Sequence, residues 1–370
     1  MVDLKSQYDR LKNEIDTAIQ GVIDRSAFIR GEEVHVFAQQ LGEYLEGTHV
    51  IPCGNGTDAL QIALMALDFK PGDEVLVPAF TYIAAVEALA LLGVTPVLVD
   101  VHPDTFQIDA GLLSSKISPK TKGIIPVHLY GQCADMGQIM AFARDNGLKV
   151  IEDAAQSLGA SYTFGDGSQL PSGTIGDLGI TSFFPSKTLG CFGDGGAVLI
   201  RNGALAESAQ MIANHGQKKK YRHESIGVNS RLDTLQAAIL LAKLPHLDSY
   251  ISKRNQVAKA YNKAFAHHPQ LRIPQRVPAS THVYHQFTLK VKDGLRDRLA
   301  QYLSGQGIPS MVYYPMPVHL QPAYAYLGHR AGDFPVAEQL CQEVLSLPIH
   351  TEMDKDQIEF IIYHVKKFFE

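Results

Sequence analysis

The sequence predicts an α/β protein: a large domain built on a mostly parallel sheet, followed by a smaller α+β domain. Three observations lead there. Over the first two-thirds of the chain, short apolar strands alternate with helical patterns, the arrangement that right-handed crossovers turn into parallel pairing. The strand runs are nearly continuous in Val, Ile and Leu, as expected when both faces of a sheet are covered. Beyond about residue 247 the pattern changes to mixed elements, and 370 residues suffice for two cores. The division expected is 1–246 and 247–370.

The elements follow in order. "MVDLKSQYDRLKNEIDTAIQ" is charged, with Leu4, Tyr8, Leu11, Ile15 and Ile19 at helical spacing. "THVIPC" is a strand, and "GNGTDALQIALMALDF" a turn and helix. "DEVLVP" is a strand and "TYIAAVEALALLG" a helix closed by Gly93. "TPVLVD", "KGIIPVHLYG", "ADMGQIMAFARDNG" and "KVIEDAA" continue the rhythm, and "GITSFF" and "GGAVLI" are two further strands. From Arg231 to Phe265 a long helical pattern is punctuated by Pro245. "YHQFTLKV" alternates as a half-buried strand, "RDRLAQYLSGQG" is an amphipathic helix with a Gly stop, "PSMVYYPMP" and "LSLPIH" are extended, and "DKDQIEFIIYHVKKFF" is a closing helix.

Composition narrows the function. Hydrophobic content of 45%, charge of 19% and a net charge of −5 describe a globular protein and argue against a nucleic-acid surface. The one dense basic run, "KKKYRH" (Lys218–His223), is a solvated loop or a site for an anionic substrate. The four cysteines are widely spaced, with no metal-type pairing, so reduced thiols and no metal are expected. No signal-type or membrane-spanning segment is visible, so a cytoplasmic location is expected, with no membrane partner.

Three stretches at strand ends carry the chemistry, where ligands of open α/β sheets bind. In "CGNGTDAL", Gly54, Gly56 and Thr57 open a helix and form either a phosphate cradle or a plain turn capped by Thr57 or Asp58. In "KVIEDAAQSLGA", Glu152 and Asp153 point to opposite faces. One of these carboxylates either caps the next helix or faces a cationic ring nitrogen, with Gln156 one turn on. In "SFFPSKTLGCFGDGGAV", Lys187 sits among apolar and glycine residues, either snorkelling from a strand edge or desolvated into a nucleophile. Phosphate cradle, acid and lysine, in this order, match the needs of pyridoxal 5′-phosphate.

With "GNGTDAL", "PAFTYIAAVEA", "PVHLYGQCADM", "IEDAAQSLGA", "SFFPSKTLGCFGDGGA", "NHG" and "GVNSRLDTLQAAIL" in place, the whole chain resembles the DegT/StrS family of nucleotide-sugar aminotransferases. Within it, the chain is most similar to members that aminate UDP-2-acetamido-2-deoxy-3-oxo-glucuronate. The resemblance implies the fold type I architecture of pyridoxal-phosphate enzymes, a place in surface polysaccharide or lipopolysaccharide synthesis, and glutamate as amino donor. It implies that Lys187 forms the Schiff base, Asp153 holds the pyridine nitrogen protonated, and Gly56, Thr57 and Ser182 take the phosphate. It also implies that Gln156 bonds the phenolic side of the ring, Tyr82 stacks on it, and Asn229 reaches the cofactor of the neighbouring subunit in a homodimer.

Arg231, two residues after Asn229, is a candidate for a substrate carboxylate, on either the hexuronate or the donor, with a surface or subunit ion pair as the alternative. Tyr313, Tyr314 and His319 are candidate sugar contacts or packing residues, and Tyr313 stands where the pattern would also accept His. The rival readings are a 4-aminotransferase of a 4-keto-6-deoxy sugar and an inactive regulatory member. A same-family dehydratase would carry His in place of Lys187, and the dinucleotide fingerprint of a hydride-transfer enzyme is missing.

Overall fold

A computed structural model describes residues 1–370. Seven strands form the central sheet in the order His49–Cys53, Gly196–Ile200, Leu178–Ser182, Lys149–Asp153, Thr121–Ile124, Glu74–Pro78, Thr95–Val99. Six share one direction, and Gly196–Ile200 runs antiparallel to both its neighbours. A parallel connection needs a crossover of a dozen or more residues, ordinarily a helix. Residues 183–195 hold Pro185 and three glycines and form none, so the chain turns back beside the strand it has just left. At the start of that strand Gly196 admits the neighbouring turn, because a Cβ there would lie 2.4 Å from the carbonyl carbon of Asn55.

Both sheet faces are covered, as the continuous apolar runs predict. Val75 and Val77 pack into a core with Ala59, Ala63 and Leu89 of the helices Gly56–Ala66 and Ala84–Leu91. Leu76, between them, enters a second core with Ile139 and Ala143 of the helix Met136–Asn146. The N-terminal helix Leu4–Arg25 lays Leu11 and Ile15 against Ile239 and Tyr250.

The helical pattern after Arg231 resolves into Thr234–Lys243, a 3-10 turn Leu244–His246 holding Pro245, and Leu247–Phe265. Proline lacks the N–H that a continuous helix would need there. The last helix bridges two cores. Leu247 packs with the sheet's helices, whereas Val257, Tyr261 and Phe265 pack in a C-terminal core with the three-stranded antiparallel sheet Leu271–Arg272, Phe287–Val291, Val344–Leu347. We propose the domain division at residue 247 on this change of partner within one helix.

One strand departs from its expected pattern. Phe287–Val291 was expected half-buried, yet Phe287, Thr288, Leu289 and Val291 are all buried. Its polar face is closed as well. Thr288 and Ser346 share a 2.7 Å hydroxyl hydrogen bond, and Lys290 reaches across to Asp104 at 2.8 Å.

Glu152 and Asp153 do point apart. Glu152 is fully buried and accepts hydrogen bonds from the backbone N–H groups of Gly173 (3.0 Å), Ile175 (2.5 Å) and Gly176 (2.7 Å). It also accepts from His128 Nε2 at 2.8 Å, while His128 Nδ1 accepts from the Ala134 N–H, which assigns the ring proton to Nε2. Removing this carboxylate strands three buried donors and the half-buried Gly176 N–H. Glu152→Ala should therefore lose roughly 3–5 kcal/mol of stability, read as a lowered urea midpoint, and an unchanged midpoint would refute this account of Glu152.

Candidate active site

The parallel strands deliver their chemistry at one edge. A cavity of about 600 Å³ opens there, lined by Gly56 and Thr57 after the first strand, Asp153 and Gln156 after the fifth in sequence, and Ser182 and Lys187 after the next. Tyr82, Tyr313 and Tyr314 line it as well. These nine residues, scattered over the sequence, are brought to one place.

The phosphate-type cradle is the start of the helix Gly56–Ala66. Its cap is Asn55, whose side chain accepts the Asp58 N–H at 2.8 Å, and not Thr57 or Asp58. The side chain that reaches back to the cap must come from the residue before the helix, and Asn55 occupies that position. Thr57 thus keeps its hydroxyl out of the cap. Asp58 instead accepts from Ser230 Oγ at 2.6 Å, and Ser230 Oγ in turn accepts the Gly54 N–H at 2.9 Å. Gly56 lies close to Ser182: a Cβ on it would stand 3.1 Å from the Ser182 Cβ. The start of this helix, Thr57 and Ser182 thus line one part of the cavity, and a helix N-terminus with hydroxyls beside it suits an anion.

Asp153 does not cap a helix, since only turns follow it; its Oδ1 accepts the Ala155 N–H at 3.1 Å. Burial pushes its carboxyl above the usual range, opposed by that N–H and by the charge of Lys187. Burial likewise draws the Lys187 ammonium down to about 8, with Asp153 opposing. Gln156 accepts the Tyr130 N–H at 2.7 Å on its Oε1, which turns its Nε2 toward the cavity, 3.3 Å from the Tyr314 hydroxyl. Tyr82 is 58% exposed and forms an outer wall, its ring 6.1 Å from that of Tyr314.

Three candidates lie elsewhere. His319 is buried, bonded through Nε2 to Glu338 at 3.0 Å and packed on Phe334, and it does not line this cavity. Asn229 is exposed, bridging Asn214 beside the hairpin Gln217–Lys219 and Arg222–His223 that carries the basic run. Arg231 lines a separate groove of about 880 Å³ with Arg30, His35 and Lys218. Sequence reasoning missed Asn55, Tyr130 and His285. A capping signal was available for Asn55, three residues before Asp58. Nothing marks Tyr130 or His285, because their place depends on segments distant in sequence.

The donor set fits pyridoxal phosphate: an anion cradle, a buried acid with no cation bonded to it, and an amine with a lowered pKa. Only a neutral amine condenses with an aldehyde, so an amine titrating near 8 reacts fully above that pH and is lost to protonation below it. Capture of the cofactor by cofactor-free protein should slow about ten-fold per pH unit below 8, followed by rapid-mixing absorbance. Borohydride should fix the cofactor on Lys187 alone, and label retained by Lys187→Ala would overturn the assignment.

The sequence and fold have counterparts among known proteins. The chain is 43% identical to a "Pleiotropic regulatory protein" of Geobacillus stearothermophilus, covering 100% of this chain and 98% of that protein. It is 44% identical to the UDP-2-acetamido-2-deoxy-3-oxo-D-glucuronate aminotransferase of Pseudomonas aeruginosa, covering 97% of each. DesV of S. venezuelae, solved in complex with a ketimine intermediate, superposes with a TM-score of 0.95 at 41% identity, covering 100% and 98%. The family model for DegT/DnrJ/EryC1/StrS aminotransferases matches residues 9–366. With the cavity described above, these matches make the chain a pyridoxal-phosphate-dependent aminotransferase of nucleotide-linked keto-sugars, a member of the DegT/DnrJ/EryC1/StrS family.

Proposed function

We propose that the enzyme aminates a UDP-linked 2-acetamido-2-deoxy-3-oxo-glucuronate at position 3 with L-glutamate, alternating between the two substrates, as a homodimer. Pyridoxal phosphate, when bound, supplies an aldehyde for amines and a ring that accepts the electron pair left by a departing proton. In this reading Gly56, Thr57 and Ser182 bind the phosphate, and Asp153 keeps the ring nitrogen protonated. Gln156 donates from Nε2 to the phenolic oxygen, and Tyr82 shields the ring from water. Lys187 Nζ would hold the aldehyde at rest and, once free, would take the proton from the substrate carbon and return it two atoms away, on the carbon across the nitrogen.

The observation that carries the choice of a uronate is the arginine pair. Arg30 and Arg231 share the larger groove, and neither has a carboxylate partner. Burial, then the charge of Arg231, lowers the Arg30 pKa. Two unneutralised guanidinium groups side by side destabilise each other until an anion joins them, and planar bidentate donors suit a carboxylate. The face also exposes Asn229, Tyr221 (83%) and Ile226 (86%). In the dimer proposed here, it is laid over the cavity of the other copy, so that Arg231 meets the sugar there. The 44% identity to the Pseudomonas enzyme supports the same substrate.

Offered glutamate and either the 3-oxo uronate or a 4-keto-6-deoxy nucleotide sugar, the enzyme should turn over the first; turnover of the second alone would sink the assignment. Arg231→Ala should raise KM for the uronate about ten- to hundred-fold, the worth of a hydrogen-bonded charge, and leave KM for glutamate unchanged. Steady-state rates with each substrate varied provide the check.

A further inference from the structure

We propose that His285 binds the α-carboxylate of the amino donor, with the buried Arg254 behind it supplying the charge that favours an anion there. The proposal rests on the aminotransferase assignment and on an amino acid being the donor, not on which amino acid it is.

Every amino-acid donor carries a carboxylate on the carbon whose nitrogen reacts. That carboxylate must therefore lie in the same cavity as the Lys187 amine. Within one protomer the basic side chains lining the cavity are Lys187 and His285, with no arginine among them, and the Arg231 proposed above to arrive from the other copy is assigned to the sugar. Lys187 has to stay free for the proton, which leaves His285. The residue is 5% exposed; its Nδ1 is sealed off without a hydrogen-bond partner, and its Nε2, unbonded within the protein, is the ring atom a ligand in the cavity can reach. Asp153, which lines the cavity with Asp58 and Asp194, repels a carboxylate from its own end.

Arg254 strengthens the case from the second layer. It is 4% exposed, and its Nη1 donates to the carbonyls of Tyr284 (3.2 Å), His285 (3.3 Å) and Ile349 (3.1 Å). Its Nε has no partner and no carboxylate pairs with it, so its positive charge is uncompensated. In a poorly solvated interior such a charge acts over several ångströms. Burial, Lys187 and Arg254 together hold the His285 ring neutral. It therefore acts as an N–H donor to the carboxylate and does not add a second cation beside Lys187. The position is fixed by the chain around it: a Cβ at Gly131 would stand 2.9 Å from the His285 backbone nitrogen, and the Val283 N–H bonds the Gly131 carbonyl at 2.8 Å.

The test uses the pyridoxal-phosphate holoenzyme and α-methyl amino acids, which keep the carboxylate but have no proton on the reacting carbon. Wild type is titrated with the α-methyl forms of glutamate, glutamine and alanine by absorbance, and the tightest is carried forward. A wrong donor thus appears in wild type and is separated from a wrong role for His285. His285→Phe should bind that probe about ten-fold or more weakly. His285→Gln, which keeps a donor, should recover most of the loss. The pyridoxamine-form enzyme should retain its keto-sugar KM in both variants. Wild-type probe affinity in His285→Phe, or an equal loss for keto-sugar, would overturn the proposal. Should His285→Phe not fold, His285→Ala is titrated with and without added imidazole: recovery with imidazole supports the proposal, and no recovery overturns it.

Discussion

A buried acid and a buried amine, held in one cavity without forming an ion pair, are the constraint on which the rest depends. Asp153 and Lys187 each bear the cost of leaving water, visible in the opposite displacements of their titrations, and neither is given the other as partner. Side-chain freedom would ordinarily let a lysine close such a gap. Here both backbones are anchored by hydrogen bonds of their own. Asp153 is clamped on both sides, its N–H bonded to Pro126 and its carbonyl to the His128 N–H, while the Lys187 N–H returns to the Phe184 carbonyl in a tight turn. A cationic ring bearing an aldehyde would meet both groups at once, and a ligand that binds only the folded chain stabilises it.

The same constraint explains the departure from a wholly parallel sheet. A lysine at the end of a helix-linked crossover would sit on a rigid element some distance from the strand edge. Turning back directly after Ser182 leaves residues 183–195 as a loop over the carboxyl edge. Cys191 and Gly195 tie that loop to Phe183 by backbone hydrogen bonds of 2.8 and 2.7 Å. Glu152, one residue before the acid, performs the complementary task on the other face, gathering three N–H groups and His128 into a rigid backing.

Much of this was legible in the sequence. The alternation of strands and helices, the two covered faces, the break at Pro245 and the three stretches at strand ends were read from periodicity and residue type. What escaped depended on partners distant in sequence. The strand at Phe287 looked half-buried because Thr288 and Lys290 are polar, and only Ser346 and Asp104 reveal how they are satisfied. His319 reads from sequence as a sugar contact or a packing residue, and its place beside Phe334, bonded to Glu338, is the second of these. His285 carried no signal, since a lone histidine before a strand acquires meaning only beside Lys187 and Arg254. Arg231 reads from sequence as a ligand of a substrate carboxylate or a member of an ion pair, and its separation from the Lys187 cavity within one protomer is a finding of the structure.

The place of Gly196–Ile200 in the sheet also dictates an order of assembly. The edge strand His49–Cys53 touches the rest of the sheet only through this late strand, which pairs with it residue for residue from His49–Ile200 to Cys53–Gly196. As the chain leaves the ribosome, the first strand has no sheet neighbour until about 150 further residues have emerged. Such long-range pairing is slow to close. The glycine-lined turn at Asn55 and the lysine loop are thus completed by one event, and a nascent chain cannot hold the vitamin before its sheet is whole.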